Sequence, residues 1–263
     1  MRKITKVLVA IPVFTAILAV IFYFAYMSPR RTTPILMYHS VSKDKASTLN
    51  VTPKNFARQM QYLRDKGYSV ISLKDLVAHI NKGERYVPRT VVVTFDDGFE
   101  DNYLYAFPVL SQYGMPATIF MISGYVDKRE GYLTWEQIRL MMRNDISFGA
   151  HTRNNVYLPS IKDNAKLKEE IYGAKDDIQR MTGREVDFFC YPTGGFNDGI
   201  KDMVKKAGYK GACTTNRGLS TANEDVYELK RVKVTNSDTV QPLHFEAKLS
   251  GFYNVFRRLK EGE

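Results

Sequence analysis

An α/β fold, either a β/α barrel or a closely related doubly wound sheet, is what the 263-residue sequence predicts, behind one N-terminal helix long enough to cross a membrane. Three observations lead there. Strand-like and helix-like segments alternate along the chain. The strands include unbroken apolar runs such as Val91-Val92-Val93, which suit a sheet covered on both faces. Chemically active side chains collect where the strands stop.

The N-terminus is basic, with Arg2, Lys3 and Lys6, and residues 7–27 then run for 21 positions without a charge. As a helix that is enough to span a hydrocarbon layer of roughly 30 Å. The basic residues belong on the cytoplasmic side, and the bulky residues of "YFAYMSPRR" leave no small-x-small cleavage pattern. The expected layout is a cytoplasmic basic tail over 1–6, a single-pass signal anchor over 7–27, a linker over 28–33 and one domain over 34–263 on the extracellular side of the cell membrane. A secreted chain with a cleaved signal is the alternative. Lys and Arg outnumber Asp and Glu by 38 to 28, and the net charge of +10 suits work beside anionic lipid or wall polymer. Export, and the lack of a basic patch interleaved with aromatics, set nucleic acid aside as a partner. Two cysteines, Cys190 and Cys213, are too few for a cysteine-stapled scaffold; they form one disulfide or stay as buried thiols.

Within the domain the first strand is "ILMYH", followed by a polar loop over 42–51. Thr52 and Pro53 start a helix that ends at Gly67, because Pro is preorganised for the first helical position and Gly for the exit. Strand "YSVISL", a helix over 73–81 and the strand "VVVTF" come next. A helix over about 102–113 leads to strand "PATIFMI", and Thr134 with Gln137 forms a capping box for a helix reaching Arg143. Strand "ISFGAH", a long helix over about 163–181, strand "VDFFCYP", a helix over 198–207, strands "KGACTT" and "ELKRVKV", and a helix over about 239–260 complete the chain.

On that layout His39, the pair Asp96 and Asp97, His151 and the segment Tyr191 to Gly195 all follow strands, and in a barrel those ends open on one rim. Two adjacent carboxylates at such an edge need a cation or a shared proton to offset their repulsion. An aspartate and a histidine from different strands can hold a divalent metal, a second aspartate can serve as base and another histidine as acid. A solvated Asp-Gly turn is the alternative explanation of the pair, so the convergence carries the argument.

Three segments, "TFDDG" at 94–98, "HTRNN" at 151–155 and "FCYPTGG" at 189–195, resemble in order and spacing the first three motifs of the polysaccharide deacetylase family, carbohydrate esterase family 4, with its NodB-type domain. The resemblance runs from Pro34 to about Val234. It implies a distorted (β/α)7 barrel and metal-dependent removal of acetyl from N-acetylated sugars in a polymer. By the same resemblance Asp96 is the general base, Asp97 and His151 are metal ligands, and the backbone N–H near Thr193 helps to hold the oxyanion. "ILMYH" is similar to the permuted subgroup of poly-N-acetylglucosamine deacetylases, whose acid histidine lies on the first strand, which makes His39 the general acid ahead of His244. His79 reads as a surface helix position. The cofactor implied is a divalent ion, zinc first, with cobalt, nickel or manganese as other choices.

The sequence departs from that pattern. Asn155 stands where the second motif has its second ligand histidine, and a neutral amide oxygen is a poorer zinc ligand than imidazole. Cys190 stands where the third motif has arginine, and no fourth motif is recognisable in "TTNRGL". The reading is a membrane-anchored N-deacetylase with Asp97, His151 and Asn155 as its metal site. Its substrate is an exopolysaccharide of the poly-N-acetylglucosamine type made for biofilm, with an exopolysaccharide synthase or export machinery as the partner. Peptidoglycan is the alternative substrate, and a non-catalytic glycan-binding protein the alternative function. Tyr125, Tyr132 and Trp135 are candidates for sugar stacking, or for helix packing.

Overall fold

A computed structural model describes residues 14–43, 47–215 and 223–255. Strands β1 (Ile35–Tyr38), β5 (Thr90–Phe95), β6 (Ala117–Met121), β7 (Ile146–Ala150), β8 (Phe188–Cys190) and β9 (Gly211–Thr214) pair side by side, all parallel. The segment 229–233 then closes the ring. Its first half, β10 (Leu229–Lys230), pairs with β9, and its second half, β11 (Val232–Lys233), pairs with β1. The result is a nearly closed barrel of parallel strands, with Arg231 alone at the seam between β10 and β11. Two short strands, β2 (Ser40–Val41) and β3 (Asn50–Val51), pair outside the ring. The expected strand "YSVISL" shrinks to β4 (Ser69–Val70), which pairs only with β5.

Side-chain alternation along the strands sorts the core into two sets. Leu36, Tyr38, Val91, Val93, Phe95, Ile119, Phe148 and Phe189 face outward onto the surrounding helices. Ile35, Val92, Phe120, Phe188, Cys190, Cys213 and Leu229 form the inner set, to which the helix Leu73–Asn81 adds Leu73, Leu76, Val77 and Ile80. A side chain on Gly149 would meet the Phe120 ring at 2.6 Å, which places that glycine on the inner face as well.

The helices follow local signals. Thr52, Ser72 and Asn197 each accept a backbone N–H at their helix starts, and Thr134 with Gln137 forms the expected capping box. The expected helix over 102–113 is a π turn (Asn102–Ala106) running into α-helix Phe107–Tyr113. That over 163–181 contains a π turn at Glu169–Gly173 between Asn164–Lys168 and Ala174–Thr182. The expected C-terminal helix is broken. Gln241 precedes a proline and sits at φ −119°, ψ 88°, so Ser237–Val240 and Pro242–Leu249 are separate helices.

Residues 14–22 are helical and pass into a π turn (Tyr23–Met27) and a 3-10 turn (Ser28–Arg30), so the predicted anchor is not one uniform helix over its described part. No helix among the described residues is long and apolar enough to cross a membrane; residues 7–13 of the predicted span lie outside them. Nor is 28–33 a free linker. The Arg31 guanidinium lies 3.9 Å over the Tyr86 ring and donates to the Ser250 carbonyl at 2.9 Å, and Thr32 bonds Gly251.

Candidate active site

Pleat parity decides which residues meet. One step of two beyond the inner residues Met37, Thr94, Gly149, Phe188 and Leu229 come His39, Asp96, His151, Cys190 and Arg231, so all five point into the carboxyl mouth of the barrel. Backbone bonds carry the sheet one residue further than the strands proper: Asp96 N–H donates to the Tyr38 carbonyl and His151 N–H to that of Met121. Asp97 has the opposite parity. It joins the site because its φ of 72° turns the chain, and Gly98 must follow, since a Cβ there would lie 2.8 Å from that of Met121 at φ 72°. The other three motif residues with left-handed backbone, Thr152, Asn155 and Thr193, lie in the two neighbouring loops. Non-glycine residues adopt that conformation at a cost, and such costs concentrate where geometry serves function.

Arg231 is the residue that sequence reasoning missed. Fully buried, its guanidinium grips Asp96 with two parallel bonds of 2.6 Å, one to each carboxylate oxygen. It also donates to Thr94 Oγ1 at 3.2 Å, to the Thr214 carbonyl at 3.3 Å and to Cys190 Sγ at 3.0 Å. It thus occupies the place beside Asp96 that the cysteine at 190 leaves without a cation. Burial pushes the Asp96 carboxyl up, but the charge and hydrogen bonds of Arg231 outweigh that and hold it well below the usual carboxylate range. Arg231 itself is held charged in spite of burial, mainly by Asp96. The signal available in the sequence was an arginine two positions after an inner leucine in the closing strand, but in "ELKRVKV" it stands among lysines that look like a solvated edge.

The metal ligands proposed from sequence do come together in part. His151 Nδ1 lies 2.8 Å from the Cys190 carbonyl, to which it donates, leaving the Nε2 lone pair free. That Nε2 is 3.7 Å from Asp97 Oδ1. Two ligands each about 2.1 Å from a shared tetrahedral ion lie about 3.4 Å apart, so the pair fits a divalent cation. The Asp97 carboxyl is raised by burial, with the His151 charge opposing and Asp96 adding. Asp96, His151 and Cys190 also offer ligand atoms within 4.8 Å of one another. That group suits a cation less well: Asp96 is already neutralised by Arg231, whose guanidinium also meets the sulfur, and burial holds the thiol protonated.

Asn155 lies in the same loop as His151, exposed, its N–H bonded to Thr152 Oγ1 at 3.0 Å. Thr193 is exposed in the loop after β8, its carbonyl accepting from Thr215 Oγ1. His39 Nε2 lies 3.9 Å from Asp96 Oδ2. Burial pushes its imidazole pKa below the usual value, against the pull of Asp96 and Asp97. The His39 backbone is held from the same stretch that bears the acid pair: Asn102 donates to its carbonyl at 2.8 Å, and Asp101 accepts from Ser40 Oγ and from Val41 N–H. His79 pairs with Glu84 on the surface, and His244 is exposed on the helix Pro242–Leu249. Cys190 and Cys213 face one another across β8 and β9 as buried free thiols. Trp135, 7% exposed, is core and not a sugar face.

The loop after His151 is clamped from the π turn. Buried Glu170 accepts from Arg153 N–H at 3.0 Å, Asn154 N–H at 2.9 Å and Asn154 Nδ2 at 2.7 Å, while Arg153 is pinned to Asp177 at 2.9 and 3.1 Å. Glu170→Gln puts an amide N–H where two donors converge, and if the loop carries metal ligands its affinity for a divalent ion should drop by about tenfold, as for other residues that orient ligands. Competition titration with a chromophoric chelator measures it.

A family model described as polysaccharide deacetylase matches residues 84–212. The "Putative polysaccharide deacetylase YxkH" of Bacillus subtilis (strain 168) is 34% identical over 202 residues, covering 77% of this chain and 71% of its own. The poly-β-1,6-N-acetyl-D-glucosamine N-deacetylase of Staphylococcus aureus (strain MSSA476) is 23% identical over 212 residues, 76% of this chain and 73% of that one. Among solved structures, the Streptococcus pyogenes deacetylase PplD in complex with acetate aligns with a TM-score of 0.75 at 28% identity, over 82% of this chain and 97% of its own.

Proposed function

Because the chain belongs to the polysaccharide deacetylase family, enzymes that hydrolyse the amide bonds of N-acetylated sugars, we propose that it removes acetyl from an exopolysaccharide of the poly-N-acetylglucosamine type in biofilm, working outside the cell membrane. The observation that carries the reading is the gathering of His39, Asp96, Asp97 and His151 at one barrel mouth. The polymer is taken from the staphylococcal relative. Exposed apolar side chains at Phe14, Ile17, Leu18, Val20, Ile21, Phe22 and Phe24 support the membrane as the anchor, since lipid is what would cover such a run.

Asp97 and His151 Nε2, with Asn155 from the adjoining loop, would hold a divalent ion, zinc first. When bound, it would acidify water and polarise the acetamide carbonyl. Asp96 keeps its charge at neutral pH because Arg231 is bonded to both its oxygens, and each oxygen retains a lone pair for a proton. Held so low, it is a weak base, matched only to a water that has been acidified. His39 is neutral at pH 7 and so must be given the proton it donates. Asp96 Oδ2 and His39 Nε2 are 3.9 Å apart, too far for direct transfer, so the water's proton would pass from Asp96 to Nε2 through one bridging water or after the two close to hydrogen-bond distance, and Nε2 would deliver it to the departing sugar nitrogen. An N–H of the Thr193 loop would help to hold the oxyanion.

The test is acetate release by the full-length chain from poly-N-acetylglucosamine and from peptidoglycan, with single metals and with chelator. Chelator-sensitive release from the first polymer is expected, and Asn155→His should tighten zinc binding by about tenfold or more. Preference for peptidoglycan would overturn the substrate. Release only after Asn155→His would favour the glycan-binding reading that the missing histidine suggests. In the same preparation the chain should sediment with membranes; recovery in the supernatant would overturn anchoring.

A further inference from the structure

Beside the acid pair stands an aromatic shelf that the chemistry above leaves unused. Phe99, two residues past Asp97, packs on Tyr132 with ring centroids 5.1 Å apart, and Tyr132 meets Tyr125 edge-on at 5.0 Å. Arg129 caps the cluster, its guanidinium 4.7 Å from the Tyr125 centroid and 5.4 Å from that of Tyr132. All three rings are half-buried and the arginine is exposed. None of the ion pairs among the described residues uses Arg129. Of the two acids on the same excursion, Asp127 accepts the Trp135 N–H that starts the next helix, and Glu130, next to Arg129 in the chain, is exposed and in none of the ion pairs among the described residues.

The shelf is fixed to the site on two sides. Phe99 and Tyr132 form a backbone bridge, Leu133 N–H donates to the Gly98 carbonyl at 3.0 Å and Glu100 N–H to that of Gly131 at 2.9 Å. Tyr125 OH reaches the Asn154 carbonyl at 3.3 Å, in the loop after His151. A chain of two residues spans at most about 7 Å, so the shelf begins within one sugar's reach of Asp97. Burial raises the Tyr132 phenol, Arg129 opposes, and the Asp97 charge adds, which puts Tyr132 in the field of both.

We propose that this shelf binds the sugar next to the one being deacetylated, and that Arg129 makes it a selector: an N-acetylated, uncharged sugar is accepted there and a glucosamine ammonium is rejected. The inference rests on the deacetylase reading above. Tyrosine faces and the flat guanidinium offer stacking area to any pyranose ring, so ring binding is indifferent to the N-substituent. The fixed, unpaired cation is not indifferent, because two positive charges brought close at a partly desolvated surface repel. Each deacetylation therefore creates a sugar that the shelf refuses, and the enzyme spaces its products along the polymer instead of clearing adjacent sugars.

The experiment compares two β-1,6-linked pentasaccharides, one fully N-acetylated and one with a single internal amine, by calorimetric titration into the chelator-treated full-length chain, then by turnover with zinc. At low salt the wild type should bind the fully acetylated oligomer about tenfold more tightly. Arg129→Gln, and separately 0.5 M salt, should bring that ratio to about two or below, because an exposed charge is screened. Arg129→Lys should keep most of it, and Tyr132→Ala should weaken both oligomers alike. An unchanged ratio in Arg129→Gln, or no binding of either oligomer, would overturn the proposal. Absence of acetate release with zinc would sink the deacetylase reading, while the binding ratio would still report on the shelf.

Discussion

Asp96→Asn should lower acetate release by about a thousandfold or more while leaving the bound metal in place, whereas Asp97→Ala should lose both. The two carboxylates are adjacent in the chain and opposite in environment. Asp96 is 2% exposed, bonded through both oxygens to Arg231 and 3.9 Å from His39, so on the proposed function its loss would remove the proton carrier. Asp97 faces His151 Nε2 at 3.7 Å, so on the proposed function its loss would remove a metal ligand. The measurement is metal content of the purified variants beside their turnover, with the melting temperature as a control, because the amide also leaves Arg231 less well neutralised. Turnover by Asp96→Asn at a tenth of the native rate or above would overturn the role.

Arg231→Met should cost about 3–5 kcal/mol of stability at pH 7, since it strands a buried carboxylate without the cation bonded to both its oxygens. The pH dependence gives the sign. In the native chain the folded Asp96 pKa is depressed, so its contribution is present above the unfolded value near 4 and is lost only as pH falls through the lower folded value. In the variant burial acts unopposed by arginine, the folded pKa rises above the unfolded one, and protonation favours the folded state. The stability gap between the two proteins should therefore narrow as pH falls from 7 toward the unfolded carboxyl value near 4. Urea unfolding at pH 7 and at pH 4.5 measures it. A gap that is constant or widens would mean that Arg231 contributes packing and not charge.

Much of this was legible beforehand because its causes are local. The unbroken Val91–Val93 run, the Thr52-Pro53 start and the Thr134/Gln137 capping box are short-range signals, and each is realised in the fold. The helix expected over about 239–260 is cut short because Pro242 restricts Gln241 at its start and Gly251, at φ 81°, follows its end at Leu249; residues 256–260 lie outside the described ones. Trp135 sits in the core, in line with helix packing as the favoured reading of that aromatic over a sugar face.

The sequence by itself determined the alternation of strands and helices, the strand ends that carry His39, Asp96, Asp97 and His151, and the family those motifs mark. These follow from side-chain period and turn chemistry, which act over a few residues. Only the tertiary structure decided that Arg231, 135 positions from Asp96, would neutralise it, and that Phe99, Tyr132, Tyr125 and Arg129 would stand together beside Asp97. Such pairings depend on which strand closes the barrel and on the parity with which each side chain enters it. Both are set by the whole ring of hydrogen bonds, and no single segment encodes them.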